Sequence, residues 1–306
     1  MKIIKPSVLV LFFACITVFM FDKCRVIHYQ EQIPTYIHID SFGFAYNNSV
    51  HPLNLSGSNA LYYTTSHYVS TVWAYYNNNP VGAFDLPATI PILANDSGTL
   101  QLQPGIDMDG LNDFLTSYPF YEFDTFSFNA NPGKIITHEP NTRFFNNVAL
   151  REISYFDQGL EGFGPWGVWN GADISVLSNS SLVFQGRGSG QIQLNRGLRD
   201  TFSIDTSASF PIAYDSSSTN PAFIELNYLS TMPFSIGIKG NLAGIYDTET
   251  LISLYPSPTW QKVYLQVTDF VQQFKATSYN LYIYAGLLPD TATGSLYIDN
   301  VQLVTY

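Results

Sequence analysis

Three stretches of this 306-residue chain bring together groups capable of chemistry. In "LYIDNVQL", residues 296–303, the residues alternate as in a strand, but Asp299 and Asn300 put an acid and an amide where strands prefer β-branched or aromatic residues. Such a pair suits a metal, a ligand, or an edge strand facing water. "GIDMDGLND" sets Asp107, Asp109 and Asp113 close together, with the D-x-D-G start of a calcium loop. It lacks the terminal Glu that completes an EF-hand, and a solvated turn is the simpler reading. "GFGPWGVWNG" carries Phe163, Trp166 and Trp169 among glycines, followed by Asn170. So glycine-rich a segment cannot bury three large rings by local packing. The rings then lie on the surface or against another domain, or the tryptophans plug a sandwich end or fill a seam.

Catalytic patterns are missing from the sequence. All five histidines precede residue 140, and none shows HxH, HExxH or HxxxH spacing. There is no GxSxG elbow, P-loop or dinucleotide fingerprint. A glycosidase needs two carboxylates across a cleft, and the spacing of the acids places no such pair. The expectation is a protein that is not an enzyme.

Composition then limits what can position these groups. Only 12% of residues are charged, against roughly 25% in an average soluble domain. Long helices need Glu, Lys, Arg and Ala on their solvent faces. This chain instead has 21 Tyr and 23 Phe, with Ser, Thr, Asn and Gly between apolar residues, which predicts an all-β fold. Its net charge of −11 and 13 scattered basic residues exclude nucleic acid as a partner.

Residues 1–24 stand apart. Lys2 and Lys5 precede an apolar run from Ser7 to Phe21, followed by Asp22, Lys23 and Cys24. This is the layout of an export signal, shorter than the ~18–20 residues of a comfortable membrane span. The segment resembles the leader of bacterial lipoproteins, whose cysteine is diacylated, although Lys23 stands where a small residue is usual. Lipidation at Cys24 and an uncleaved anchor both tether the exported chain to a membrane. No cysteine follows Cys24, so the body has no internal disulfide framework.

After a linker at 25–32, a first domain is expected at 33–145. "TYIHIDSFGFAY" and "STVWAYY" read as strands, "VGAFDL" as a short one, and "GTLQLQPGI" as a strand closing on a Pro-Gly turn. Two more strands flank Pro132-Gly133. This order resembles small immunoglobulin-like modules of exported bacterial proteins. The N-terminal part is also similar to a group of uncharacterised exported lipoproteins of Bacteroidota, through Cys24, Ile33-Pro34, Tyr36 to Asp40, and Val81 to Thr89.

A second domain is expected at 147–306, a sandwich of strands separated by turn signals, with one helical turn over "TDFVQQF". Three marks occur in order: Phe156-Asp157 with Gly159-Leu160-Glu161; Trp260-Gln261-Lys262-Val263; and the closing "YIDNVQL". Together they resemble the jelly-roll, galactose-binding-like modules attached to carbohydrate-active enzymes. The resemblance implies a structural calcium ion held by Asp157 and Asp299, with Glu161 as a substitute ligand. The alternative is that Asp299 caps a turn or faces water. It also implies sugar binding by exposed rings, for which Phe163, Trp166 and Trp169 are the candidates, with Asn170 and Arg187 addressing hydroxyls. Trp260, at a strand start, reads as core.

The expectation is therefore a tethered, exported protein with two β-sandwiches, immunoglobulin-like then jelly-roll, that binds a glycan or another cell-surface component. The alternative is a structural accessory lipoprotein subunit of an outer-membrane protein complex. Solvent-facing rings amid polar side chains on a sheet would favour the glycan.

Overall fold

The structure, a computed structural model, describes residues 31–45, 64–110, 115–164, 172–178, 181–207, 209–213 and 220–306. The described residues are all-β apart from one short α-helix and one 3-10 turn.

The first half contributes β1 (Thr35–Ile39), β2 (Gly43–Phe44), β3 (Thr71–Tyr76), β4 (Asn79–Asp85), β5 (Ala88–Ile92), β6 (Gly98–Asp107), β7 (Leu115–Ser117), β8 (Asp124–Phe128), β9 (Ile135–Thr137) and β10 (Asn141–Thr142). One sheet runs β5-β1-β9; a larger one runs β4-β3-β6, with β7 and β8 following each other along the far side of β6. β2 and β10 form a separate pair. Alternation does the sorting: Ile37 and Ile39 of β1 point into the core with Ile90, Val72, Leu100 and Leu102.

Proline placement follows from pairing. Pro80 and Pro91 lie on edge strands β4 and β5, where a missing N–H breaks no ladder. Pro104-Gly105, expected as a turn, instead lies inside β6. There β6 changes partner from β8, which ends its pairing at Leu102, to β7, which begins at Gly105. Pro104 occupies the gap, so its missing donor is not needed there. Pro132-Gly133 does turn, with Gly133 at φ +77° and Lys134 N–H donating to Asn131 O.

The second half contributes β11 (Ala149–Ser154), β12 (Ile174–Leu177), β13 (Ser189–Asn195), β14 (Thr201–Asp205), β15 (Ala222–Ser230), β16 (Phe234–Leu242), β17 (Ile245–Leu254), β18 (Ser257–Gln266), α1 (Thr268–Phe274), β19 (Ser278–Gly286) and β20 (Thr293–Thr305). Two antiparallel sheets face each other. One runs β12-β13-β20-β15-β18, with β11 also on β20; the other is β14-β19-β16-β17. Ile192, Ile224 and Leu303 of the first meet Ile204, Ile236 and Ile283 of the second in one core. The helix over "TDFVQQF" is seven residues long and buries Phe270 and Val271.

The last strand, β20, is central, paired on both sides, so Asp299 does not face water at an edge. Asp299 and Asn300 are buried where the register with β15 slips, and Asn300 has φ +52°. The polar pair marks a bulge, and an amide residue tolerates its left-handed backbone better than a β-branched one.

The six-stranded sheet is covered on both faces. Phe223, Tyr264 and Val304 leave the second half's core and join Tyr118, Phe120 and Tyr121 in that of the first. Within this seam Glu225 is fully buried, with Lys262 Nζ 2.7 Å from its Oε2. Tyr118 donates its hydroxyl to Glu225 Oε1, and Gln302 Nε2 donates to Oε2 at 3.0 Å. Burial first, and the Glu225 charge second, hold the Tyr118 hydroxyl far above its ordinary range. Asp109, in the candidate calcium loop, spends its carboxylate here: Oδ1 accepts from Gln266 N–H at 3.0 Å, across the seam. Asp107 Oδ1 accepts from Ser70 Oγ at 2.7 Å, and Asp113 lies outside the described residues. The loop is a docking turn.

Candidate functional site

The open face of the four-stranded sheet carries the arrangement with most capacity to bind. β19 alternates strictly. Tyr279, Leu281, Ile283 and Ala285 are fully buried, which turns Asn280, Tyr282 and Tyr284 to the opposite face. Pairing then lays out rows across the sheet. Tyr284 stands beside Ser203 of β14 and Ser235 of β16, with Ser253 of β17 beyond. The next row holds Asp205, Tyr282, Gly237 and Thr250. Asn280, Lys239 and Thr248 follow, and then Ser278, Asn241 and Tyr246.

Each ring is held differently. Tyr282 lies across Gly237, where a side chain would collide with the ring and with Glu249 O. Its hydroxyl bonds Thr250 Oγ1. Tyr246, 60% exposed, takes a hydrogen bond from Asn241 Nδ2 at 3.4 Å and lies 5.2 Å from Lys239 Nζ. Tyr284 is 45% exposed. Lys239 Nζ also sits 3.0 Å from Asp205 Oδ2, so the one cation of these rows is matched by an anion. From Tyr284 to Tyr246 the track runs roughly 20 Å along the strands and two strands across. It offers flat apolar faces, hydroxyls and amides, and no unpaired charge. Gly237→Ala should displace Tyr282 and cost roughly 1–3 kcal/mol of stability, read as a lowered midpoint in urea.

The expected site residues fall elsewhere. Cys24, Trp166, Trp169 and Asn170 lie outside the described residues. Phe163 is fully buried and stacks on Phe156 at 5.7 Å, so it is a core ring that no sugar can reach. Trp260 is half-buried against Phe184, at 5.3 Å. Arg187 lies in the connection between β12 and β13, in the other sheet; burial raises the Asp157 carboxyl, and the Arg187 N–H, with its charge a smaller contribution, opposes the rise. The rows on the open sheet had one signal in the sequence, the Tyr-x-Tyr alternation of "YNLYIYAG".

The acids do converge, on the turn between β12 and β13. Asp157 Oδ1 accepts from Arg187 N–H, while Asp299 Oδ2 accepts from Gln185 N–H at 3.2 Å and Ser189 Oγ at 2.8 Å. Burial pushes the Asp299 carboxyl up to about 7; these donors and Asn300 N–H oppose it, and the Asp157 charge adds to it. Glu152 is likewise pushed up to about 7, by burial and then by Glu161.

Glu161 Oε2 accepts from Ser154 Oγ and from the N–H groups of Tyr155 and Phe156, and its Oε1 from Gln158 N–H. These four bonds hold Glu161 to its own loop, which leaves it less free than Asp157 or Asp299 to serve an ion. Asp157 and Asp299 keep capacity, and their hard carboxylate oxygens are of the kind calcium takes. Among the described residues no three acidic, His or Cys side chains gather as an ion site, so backbone carbonyls would have to supply most ligands.

No protein-family model matches the chain, and no curated protein matches it. Among solved structures it is similar to a family 22 xylan-binding domain from Paenibacillus barcinonensis, at 14% identity over 51% of this chain and 92% of that one, TM-score 0.36. A family 61 carbohydrate-binding module in complex with β-1,4-galactotriose aligns at 16% identity over 50% and 97%, TM-score 0.33. A family 29 carbohydrate-binding module aligns at 16% over 52% and 85%, TM-score 0.34. At these identities and scores the likeness assigns this chain neither ligand nor site.

Proposed function

We propose that this protein binds a neutral glycan chain along the open face of β14-β19-β16-β17. The observation that carries the reading is the row pattern in which Tyr246, Tyr282 and Tyr284 stand on one face among Ser, Thr and Asn side chains. An aromatic ring offers an apolar plate to the C–H face of a pyranose, and the flanking hydroxyls and amides bond its rim. The matched Lys239–Asp205 pair leaves no free cation in these rows to draw an anionic glycan. The leader at residues 1–24 would present this face from a membrane tether. An array of neutral and anionic glycans tests the reading: binding restricted to neutral oligosaccharides supports it, and preference for anionic ones defeats it.

The second reading, a subunit of an outer-membrane complex, draws on a different surface. Ile33, Leu93 and Ile135 are 59%, 60% and 65% exposed around β5-β1-β9, close to where the chain arrives from its leader. Isolation of a stoichiometric complex from membranes would favour it.

Calcium at Asp157 and Asp299 is the structural part of the proposal. An unfolded aspartate titrates near 3.9, whereas Asp299 in the fold keeps its proton up to about 7. Between these values the folded state binds more protons, so without calcium stability should fall as pH rises from about 4 to 7 and then level off. Calcium needs the carboxylate ionised and would restore stability mainly above pH 7. Melting with calcium and with chelator should therefore differ at pH 8 and converge at pH 5. Identical curves at pH 8 would eliminate the ion.

A further inference from the structure

A cleft of about 260 Å³ opens where the two halves meet, away from the sheet face. Tyr68 and Asp107 line it from the first half, and Tyr228, Leu254, Gln261 and Lys262 from the second. Domain junctions are favoured places for small-ligand sites, and this volume is just below the ~300 Å³ at which drug-sized pockets begin.

Its polar groups are incompletely used. The Lys262 side chain is 3% exposed, and apart from the ion pair with Glu225 its Nζ makes no hydrogen bond among the described residues. The Tyr264 ring lies 5.5 Å from Nζ, and the ammonium is buried, so it acts on the cleft as a positive charge behind the wall. Tyr228 is 8% exposed, and its hydroxyl has no partner among the described residues. Asp107 uses Oδ1 for Ser70, leaving Oδ2 as an acceptor. Tyr68, 53% exposed, sets a ring at the mouth and is fixed by its own N–H, which donates to Tyr264 Oη at 2.8 Å.

We propose that this cleft binds a single neutral sugar unit, independently of the sheet face. An anionic ligand would meet the Asp107 carboxylate, and a cationic one would meet the Lys262 ammonium. A polyol both donates and accepts, so it can satisfy the two sides together, while the Tyr68 ring and Leu254 supply apolar contact.

Backbone amide shifts of the full chain, titrated with glucose, galactose, mannose and xylose in turn, test this. Lys262 is too deep in the seam to substitute safely, so the variants are Tyr228→Phe and Asp107→Asn, the second keeping an acceptor for Ser70. The expected result is saturable shifts at Tyr68, Tyr228 and Gln261 with at least one sugar, following a curve separate from any at Tyr282 and Thr250. At least one of the variants should weaken it about tenfold or more, the effect of losing one hydrogen bond to a buried polar group. Two results overturn the proposal: no cleft shifts with any of the four sugars, or cleft shifts that neither folded variant weakens.

Discussion

Lys262→Met should destabilise the whole chain by roughly 3–5 kcal/mol, because it leaves the Glu225 carboxylate buried without its cation. Glu225 is fully buried, and its other partners, Tyr118 and Gln302, offset only part of the desolvation of its charge. The loss corresponds to a melting shift on the order of 10 °C. It should appear as one transition covering both halves, since Phe223, Tyr264 and Val304 belong to the core of the first. Adding Glu225→Leu should recover some of the loss, because paired replacement of a buried ion pair by apolar groups is often near neutral. Recovery should be incomplete: Tyr118 and Gln302 lose an acceptor, and an unmet buried polar group costs about 1–3 kcal/mol. Wild type, the two single variants and the double variant, measured in urea, give the coupling energy directly. A Lys262→Met effect under 1 kcal/mol would show the seam to be wet and the pair dispensable.

Tyr282→Ala and Tyr284→Ala should each weaken glycan binding by about 2 kcal/mol, roughly 30-fold, the size of effect seen when an aromatic anchor is truncated. The two sit two residues apart on β19 and face the same way, so they would stack on successive parts of one ligand. Folding should suffer little for Tyr284, which is nearly half exposed. Tyr282 should cost more, since its ring covers Gly237 and its hydroxyl holds Thr250. Tyr246→Ala should have the smaller binding effect, because Tyr246 is the most exposed of the three rings and its loss leaves Lys239 still paired with Asp205.

The sequence carried the all-β character well, since it is written in local alternation. "SYNLYIYAG" and "TYIHI" form the strands their pattern indicates. What could not be read locally is which partner each face meets. Phe163 sits among glycines, yet it stacks on Phe156 and is buried in the core of the second half, which is assembled from distant strands. The D-x-D-G spacing of Asp107 and Asp109 is compatible with a metal loop, but Asp109 is claimed by Gln266, 157 residues away. Asp157 and Asp299 both accept backbone hydrogen bonds from the connection between β12 and β13, and Glu161 accepts those of its own loop; these contacts join residues far apart in sequence and no local pattern encodes them. The tyrosine face of β19 could not be read locally because tyrosine fits a strand equally well buried or exposed. Tyr279 and Tyr284 lie on the same strand with opposite fates.

Affinity electrophoresis through gels containing neutral polysaccharides, comparing the wild-type chain with Tyr282→Ala/Tyr284→Ala, tests the sheet face most directly. The wild type should be retarded by at least one neutral polysaccharide, and the folded double variant should migrate as it does in an empty gel. Retardation that survives in the double variant, or a wild type that no neutral polysaccharide slows, would contradict glycan binding on this face.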